Sequence, residues 1–85
     1  MSALEAKIVL QYEDERFAEA ICKAVSPDNF KTPKGLRIET STEANQVVTH
    51  IRHKGKFATF IATIDDLLFS ASVAERTVQT TKQLE

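Results

Sequence analysis

The side chains able to do chemistry in this 85-residue sequence are few. Two histidines, His50 and His53, stand three apart in a stretch that alternates like a strand. They therefore point to opposite faces and cannot share a metal ion, and both read as surface residues. The single cysteine, Cys22, comes after the first turns of a helical segment, away from its N-terminal dipole, and reads as a small packing residue. Asp65 and Asp66 are neighbours on a second helical segment, about 100° apart in projection, so they do not converge as an acid and a base. No Ser or Thr sits in a nucleophile elbow, and no glycine-rich loop is present to cradle a phosphate. The expectation is a protein that is not an enzyme, with no catalytic residue, no metal and no cofactor.

Charge narrows the remaining classes. Eleven basic against twelve acidic residues leave a net charge of −1, which argues against a general polyanion binder. Six of the eleven basic residues, Lys31, Lys34, Arg37, Arg52, Lys54 and Lys56, fall in a loop, two strands and a strand exit. If these segments converge, they form a local basic surface suited to an RNA backbone, although no aromatic residues interleave to stack bases. A single cysteine cannot form an internal disulfide and points to a reducing compartment. No run approaches a membrane span in this reading, and the first residues lack the profile of a signal peptide. A cytoplasmic protein with no membrane partner is expected. At 42% apolar and 27% charged, residues 1–85 read as one folded domain rather than a disordered chain.

The elements that must position these residues follow from periodicity. Residues 4–12 alternate, with Leu4, Ala6, Ile8, Leu10 and Tyr12 facing inward. Asp14 offers an N-cap to a helix whose core side carries Phe17, Ala20, Ile21, Ala24 and Val25, and Pro27 predicts its end near Val25. Residues 26–35 form a loop anchored by Phe30. Leu36, Ile38 and Thr40 mark the inner face of a second strand, and Val47, Thr49 and Ile51 that of a third. Between them Thr42–Asn45 predicts a hairpin turn in which Asn45 takes positive φ. A long helix follows from about residue 56 to 78, with 79–85 frayed. The order β-α-β-β-α predicts an α+β fold: a three-stranded antiparallel sheet with two helices packed on one face.

The long helix says more than its fold. Phe57, Phe60, Ile61, Ile64, Leu67, Leu68, Ala71, Ala74 and Val78 project within one arc of about 140°, the expected core face, with Glu75 as its one charge. On the opposite side Ala62, Phe69 and Val73 cluster, rimmed by Asp65, Asp66 and Arg76. An apolar patch bordered by charge on a second face is the pattern of a docking surface. Ala18 and Cys22, beside the core face of the first helix, are small enough to admit a foreign helix closely, or else to pack against the second helix. The candidate partner-binding set is therefore Ala18, Cys22, Ala62, Asp66, Phe69, Val73 and Arg76.

The element order, Ser26-Pro27-Asp28-Asn29, Ala62-Thr63-Ile64-Asp65-Asp66-Leu67-Leu68 and Val73-Ala74-Glu75 together resemble one family over residues 4–78. It is the Pcc-type small subunit of the archaeal and eukaryotic KEOPS complex. The resemblance implies a non-catalytic protein that forms dimers and binds the N-terminal helices of the KEOPS transferase subunit through its own two helices. It implies a part in installing threonylcarbamoyl on the tRNA adenosine beside the anticodon, with a contribution to tRNA engagement. Family dimers use the sheet side. The outer sheet face here is polar, so pairing through an exposed strand edge is expected, as a homodimer or as a heterodimer with a paralogue. Many members carry Arg and Asn where this chain has Ile61 and Asp65. That departure puts a tRNA contact at those two positions in doubt and leaves the divergent archaeal paralogue as an alternative.

Overall fold

The computed structural model describes residues 3–25 and 34–84, with side chains as far as Val78. The elements run β1 (Leu4–Gln11), α1 (Glu15–Ala24), β2 (Leu36–Glu43), β3 (Gln46–His53) and α2 (Phe57–Leu84). All pairings are antiparallel in the order β1-β3-β2, so the last strand in sequence is the central one. The α+β arrangement matches the expectation from periodicity.

Local chemistry explains each boundary. The Asp14 carboxylate accepts a hydrogen bond from the Phe17 N–H at 2.8 Å and caps α1 in extended geometry. At the other end the Val25 N–H closes on the Ile21 carbonyl. The β2–β3 turn is two residues long, and its positive φ falls on Ala44, at 54°, rather than on Asn45. Asn45 is used differently. Its Nδ2 donates to the Tyr12 carbonyl at 2.6 Å, and its own carbonyl accepts from the Tyr12 N–H at 2.9 Å, tying the turn to the end of β1. The side chain that best tolerates the left-handed region thus serves the tie instead. Gly35, at φ 87°, enters β2 through a left-handed step and accepts from the Lys54 N–H at 3.0 Å.

The core gathers Ala18, Ile21 and Val25 of α1, Val47 and Ile51 of β3, and Phe60, Leu67, Ala71 and Ala74 of α2. On α1 this face is rotated from the expected one: Ala18 is fully buried while Ala24 is exposed. Phe17 is half-buried and stacks on Tyr12 at 5.1 Å between ring centroids. His53 is also a correction. It is buried on the inner face between Leu4 and Leu36, whereas His50 is exposed on the outer face.

Helix α1 lies against β2, β3 and α2, which leaves the β1 side to α2. The start of α2 follows His53, the register partner of Leu4, and eighteen residues on Glu75 accepts a hydrogen bond from the Tyr12 hydroxyl at 2.9 Å. At about 1.5 Å per residue that helical stretch covers about 27 Å, the length of eight strand residues at about 3.3 Å each. The helix is therefore long enough to run the length of the sheet, from the His53 end to Tyr12. It then continues past Glu75 to Leu84, so residues 79–84 are helical rather than frayed. The expected loop contacts of residues 26–33, including Phe30 and Lys31, lie outside the described residues.

Candidate partner-docking surface

A three-stranded sheet is about 14 Å wide, at about 4.8 Å per strand, and two packed helices need about 20 Å. One helix must overhang an edge. Glu75 points towards Tyr12, just past the end of β1, and Phe57, five whole turns earlier, projects in the same direction. Leu68 and Ile61 project within about 40° of them. Phe57 is accordingly 64% exposed, and Ile61 and Leu68 are exposed too. Three residues expected in the core instead form an apolar stripe on the flank of α2 that faces the Tyr12 side.

The second stripe lies where the sequence placed it. Phe69 is 71% exposed and Val73 46%, and Ala62, Asp65, Asp66 and Arg76 are exposed around them. Ala62, Asp66, Phe69, Val73 and Arg76 are spaced 4, 3, 4 and 3 residues apart. That is the seam a partner helix packs into, knobs into holes. The centre of this seam projects about 150° away from the buried side of α2, so it faces directly outward. Thr63 and Thr77 donate to the Thr59 and Val73 carbonyls one turn earlier, so both hydroxyls are satisfied within the helix.

Helix α1 contributes little to this surface. Ala18 is enclosed in the core, so the inward alternative is the one realised. Cys22 is half-buried against the same cluster, and burial pushes its thiol pKa up, which keeps it an unreactive packing residue.

By length and composition alone, Phe57–Val78 is long and apolar enough to cross a membrane, at mean hydropathy 1.5, contrary to the expectation of no such run. Two features set it apart from a lipid-facing helix. Phe60, Leu67, Ala71 and Ala74 are seated in the core. Asp65 and Asp66 lie mid-segment, where each would cost about 2.5–3.5 kcal/mol in a bilayer.

The basic residues meet in part. Arg37 and Arg52 are cross-strand neighbours on the outer sheet face, and the Lys54–Gly35 hydrogen bond brings Lys34 and Lys54 to the same end, with Lys56 exposed just beyond. The arginines are not bare cations: Arg37 pairs with Glu39 at 2.6 Å and Arg52 with Glu5 at 3.7 Å. With Lys7 and His50 these groups line a shallow concavity of about 600 Å³ on the outer face. The groups alternate in sign, so the surface is only mildly cationic. Among the described residues no cluster of His, Cys, Asp or Glu could hold a metal ion.

The profile of the family described as transcription factor Pcc1 matches residues 5–79, most of the chain. The chain belongs to the Pcc1 family. This bears out the resemblance to the Pcc-type subunits of KEOPS that the sequence carries. A chain of the crystal structure of the binary complex Gon7-Pcc1 shares the fold, with a TM-score of 0.75 over 96% of this chain and 96% of that one, at 20% identity. No curated protein sequence matches this one significantly. The architecture is shared across that distance in sequence.

Proposed function

We propose that this Pcc1-family chain is a non-catalytic dimerisation and docking subunit of the KEOPS complex, acting in the cytoplasm. It binds the transferase subunit through α2 and so supports threonylcarbamoyl modification of tRNA. The single observation that carries this reading is the outward seam centred on Phe69 and Val73, two large apolar side chains left exposed among the described residues. Dimerisation uses a different surface. β1 is an open edge with unpaired backbone groups, and Phe57, Ile61 and Leu68 lie exposed on the flank of α2 that faces the Tyr12 side. A strand added there from a second copy or a paralogue would satisfy the edge and cover the stripe together. The binary complex Gon7-Pcc1, one chain of which has this fold, supports pairing as a mode of action. The subunit then works by effective concentration, holding the transferase productively against its tRNA. The basic end of the sheet, Lys34, Arg37, Arg52, Lys54 and Lys56, adds an auxiliary contact to the RNA backbone within the assembly.

Light scattering after gel filtration, on this protein alone and mixed with a KEOPS transferase subunit, tests the reading. A stable mixed complex is expected. Phe69→Asp should leave the fold intact and weaken that complex by more than about 2 kcal/mol, because an aromatic anchor at the centre of a seam is lost. Normal binding by the variant would remove the seam from the interface.

A further inference from the structure

We propose that the outer seam of α2 also recognises itself, so that two copies pair antiparallel through it and mask the docking surface until a foreign helix displaces one of them. The inference rests on the reading of that face as a helix-docking surface and adds its regulation.

The argument is one of register. Ala62, Asp66, Phe69, Val73 and Arg76 occupy alternating d and a positions of a heptad. In an antiparallel pair related by a two-fold axis, a positions of one helix meet d positions of the other. Place that axis level with Ala71, midway between Asp66 and Arg76 and also midway between Phe69 and Val73. Phe69 then meets Val73 of the second copy, and Val73 meets its Phe69. On either side Asp66 meets Arg76 of the second copy, and Arg76 meets its Asp66. One apolar centre is flanked at both ends by opposite charges.

Other registers lose this match. Moving the axis half a heptad towards the start of α2 sets Asp66 against Phe69, and moving it the other way sets Val73 against Arg76. A parallel pair would oppose Asp66 to Asp66 and Arg76 to Arg76, which is unfavourable. The seam points away from the domain core, so the two bodies stay on opposite sides of the helix pair. Ala62 to Arg76 spans only about 21 Å, well below a standard-sized interface. The pairing is therefore weak and readily displaced. If copies are already joined through β1, the seam joins those units to one another.

The test is sedimentation equilibrium of the full chain at low salt, from micromolar to millimolar concentration. The mass of the wild-type species should rise with concentration. Asp66→Arg alone and Arg76→Asp alone, each at an exposed position, should abolish the rise, because each sets like charges opposite one another twice. The double reversal, Asp66→Arg with Arg76→Asp, should restore it. That rescue is the signature of self-recognition, since a foreign partner's charges are not reversed with it. A flat wild-type mass, a rise indifferent to the single reversals, or a double variant that associates no further than the single variants would each overturn the proposal. If the wild-type mass is flat while Phe69→Asp still destroys transferase binding, self-pairing falls and the docking function stands. If the charge rescue appears while Phe69→Asp binds the transferase normally, self-pairing stands and the docking function falls.

Discussion

The junction between β3 and α2 sets the direction in which α2 leaves the sheet, and Gly55→Ala probes it. A Cβ at position 55 would lie 2.5 Å from Nε2 and 2.7 Å from Cε1 of His53. The ring has no room to retreat: His53 is 4% exposed, and Leu4 and Leu36 flank it in register on the adjacent strands. Overpacking of this kind costs about 1–3 kcal/mol. Replacing glycine also narrows the unfolded ensemble, which returns about 0.4–1 kcal/mol. Gly55→Ala should therefore lower stability by about 1–2 kcal/mol. The same change in a His53→Val background meets a shorter, β-branched side chain suited to a strand, so the clash is relieved and only the entropic gain remains. There Gly55→Ala should raise stability by about 0.4–1 kcal/mol. The sign of the effect reverses, which a double-mutant cycle in urea reads directly. Far-UV circular dichroism is the natural probe, because the chain has one tyrosine and no tryptophan. An effect of the same sign and size in both backgrounds would refute the packing argument.

Two further outcomes follow from charged groups. Burial, reinforced by the hydrogen bond to the Glu75 carboxylate and its charge, pushes the Tyr12 phenol well above its ordinary pKa of 10.0. The folded state thus keeps a proton that the unfolded chain releases near pH 10. The stabilisation is complete below that pH and is lost as pH rises above it towards the folded pKa. Tyr12 is the sole tyrosine, so absorbance at the phenolate band follows it alone. Glu75→Gln should reduce the shift without abolishing it, since burial is the larger cause, and a wild-type phenol titrating at 10 would contradict the structure. At the other end of the sheet, Lys34→Glu combined with Lys56→Glu should weaken tRNA binding by the assembled complex and flatten its dependence on salt, leaving docking between subunits unchanged. Unaltered RNA affinity would remove the basic end from the function.

Strand alternation and the Asp14 cap were legible because each depends on neighbours within a few residues. The outer stripe of α2 was legible for the same reason: Ala62, Phe69 and Val73 stand opposite the core on any straight helix. The other flank was not. Projection puts Phe57, Ile61 and Leu68 in one arc with Phe60 and Leu67, and nothing in that arc records that three strands are too narrow for two helices. The width of the sheet decides it. His53 was misplaced because alternation says that His50 and His53 take opposite faces but not that the inner position of a central strand is covered from both sides. Ala18 allowed two readings, and only the rotation of α1 against α2 selects one. At the turn, Asn45 had the right residue type for positive φ, but its bonds to Tyr12 involve a strand more than thirty residues away.

The strand order β1-β3-β2 also governs how the chain is made. β2 and β3 are joined by a two-residue turn and can close as soon as both exist, whereas β1 must wait for the central strand. During synthesis the first strand and α1 emerge with Leu4, Ile8, Leu10 and Ile21 unprotected, and no sheet can form until His53 has left the ribosome. The hairpin is the local, fast-closing unit, and the capture of β1 across more than thirty intervening residues is the slow, non-local one. Until it occurs, the free side of β3 is a vacant strand site open to β1 of any neighbouring nascent copy. A protein whose first strand lies at the sheet edge thus passes, each time it is made, through a state in which exchange of that same strand between copies is the competing outcome.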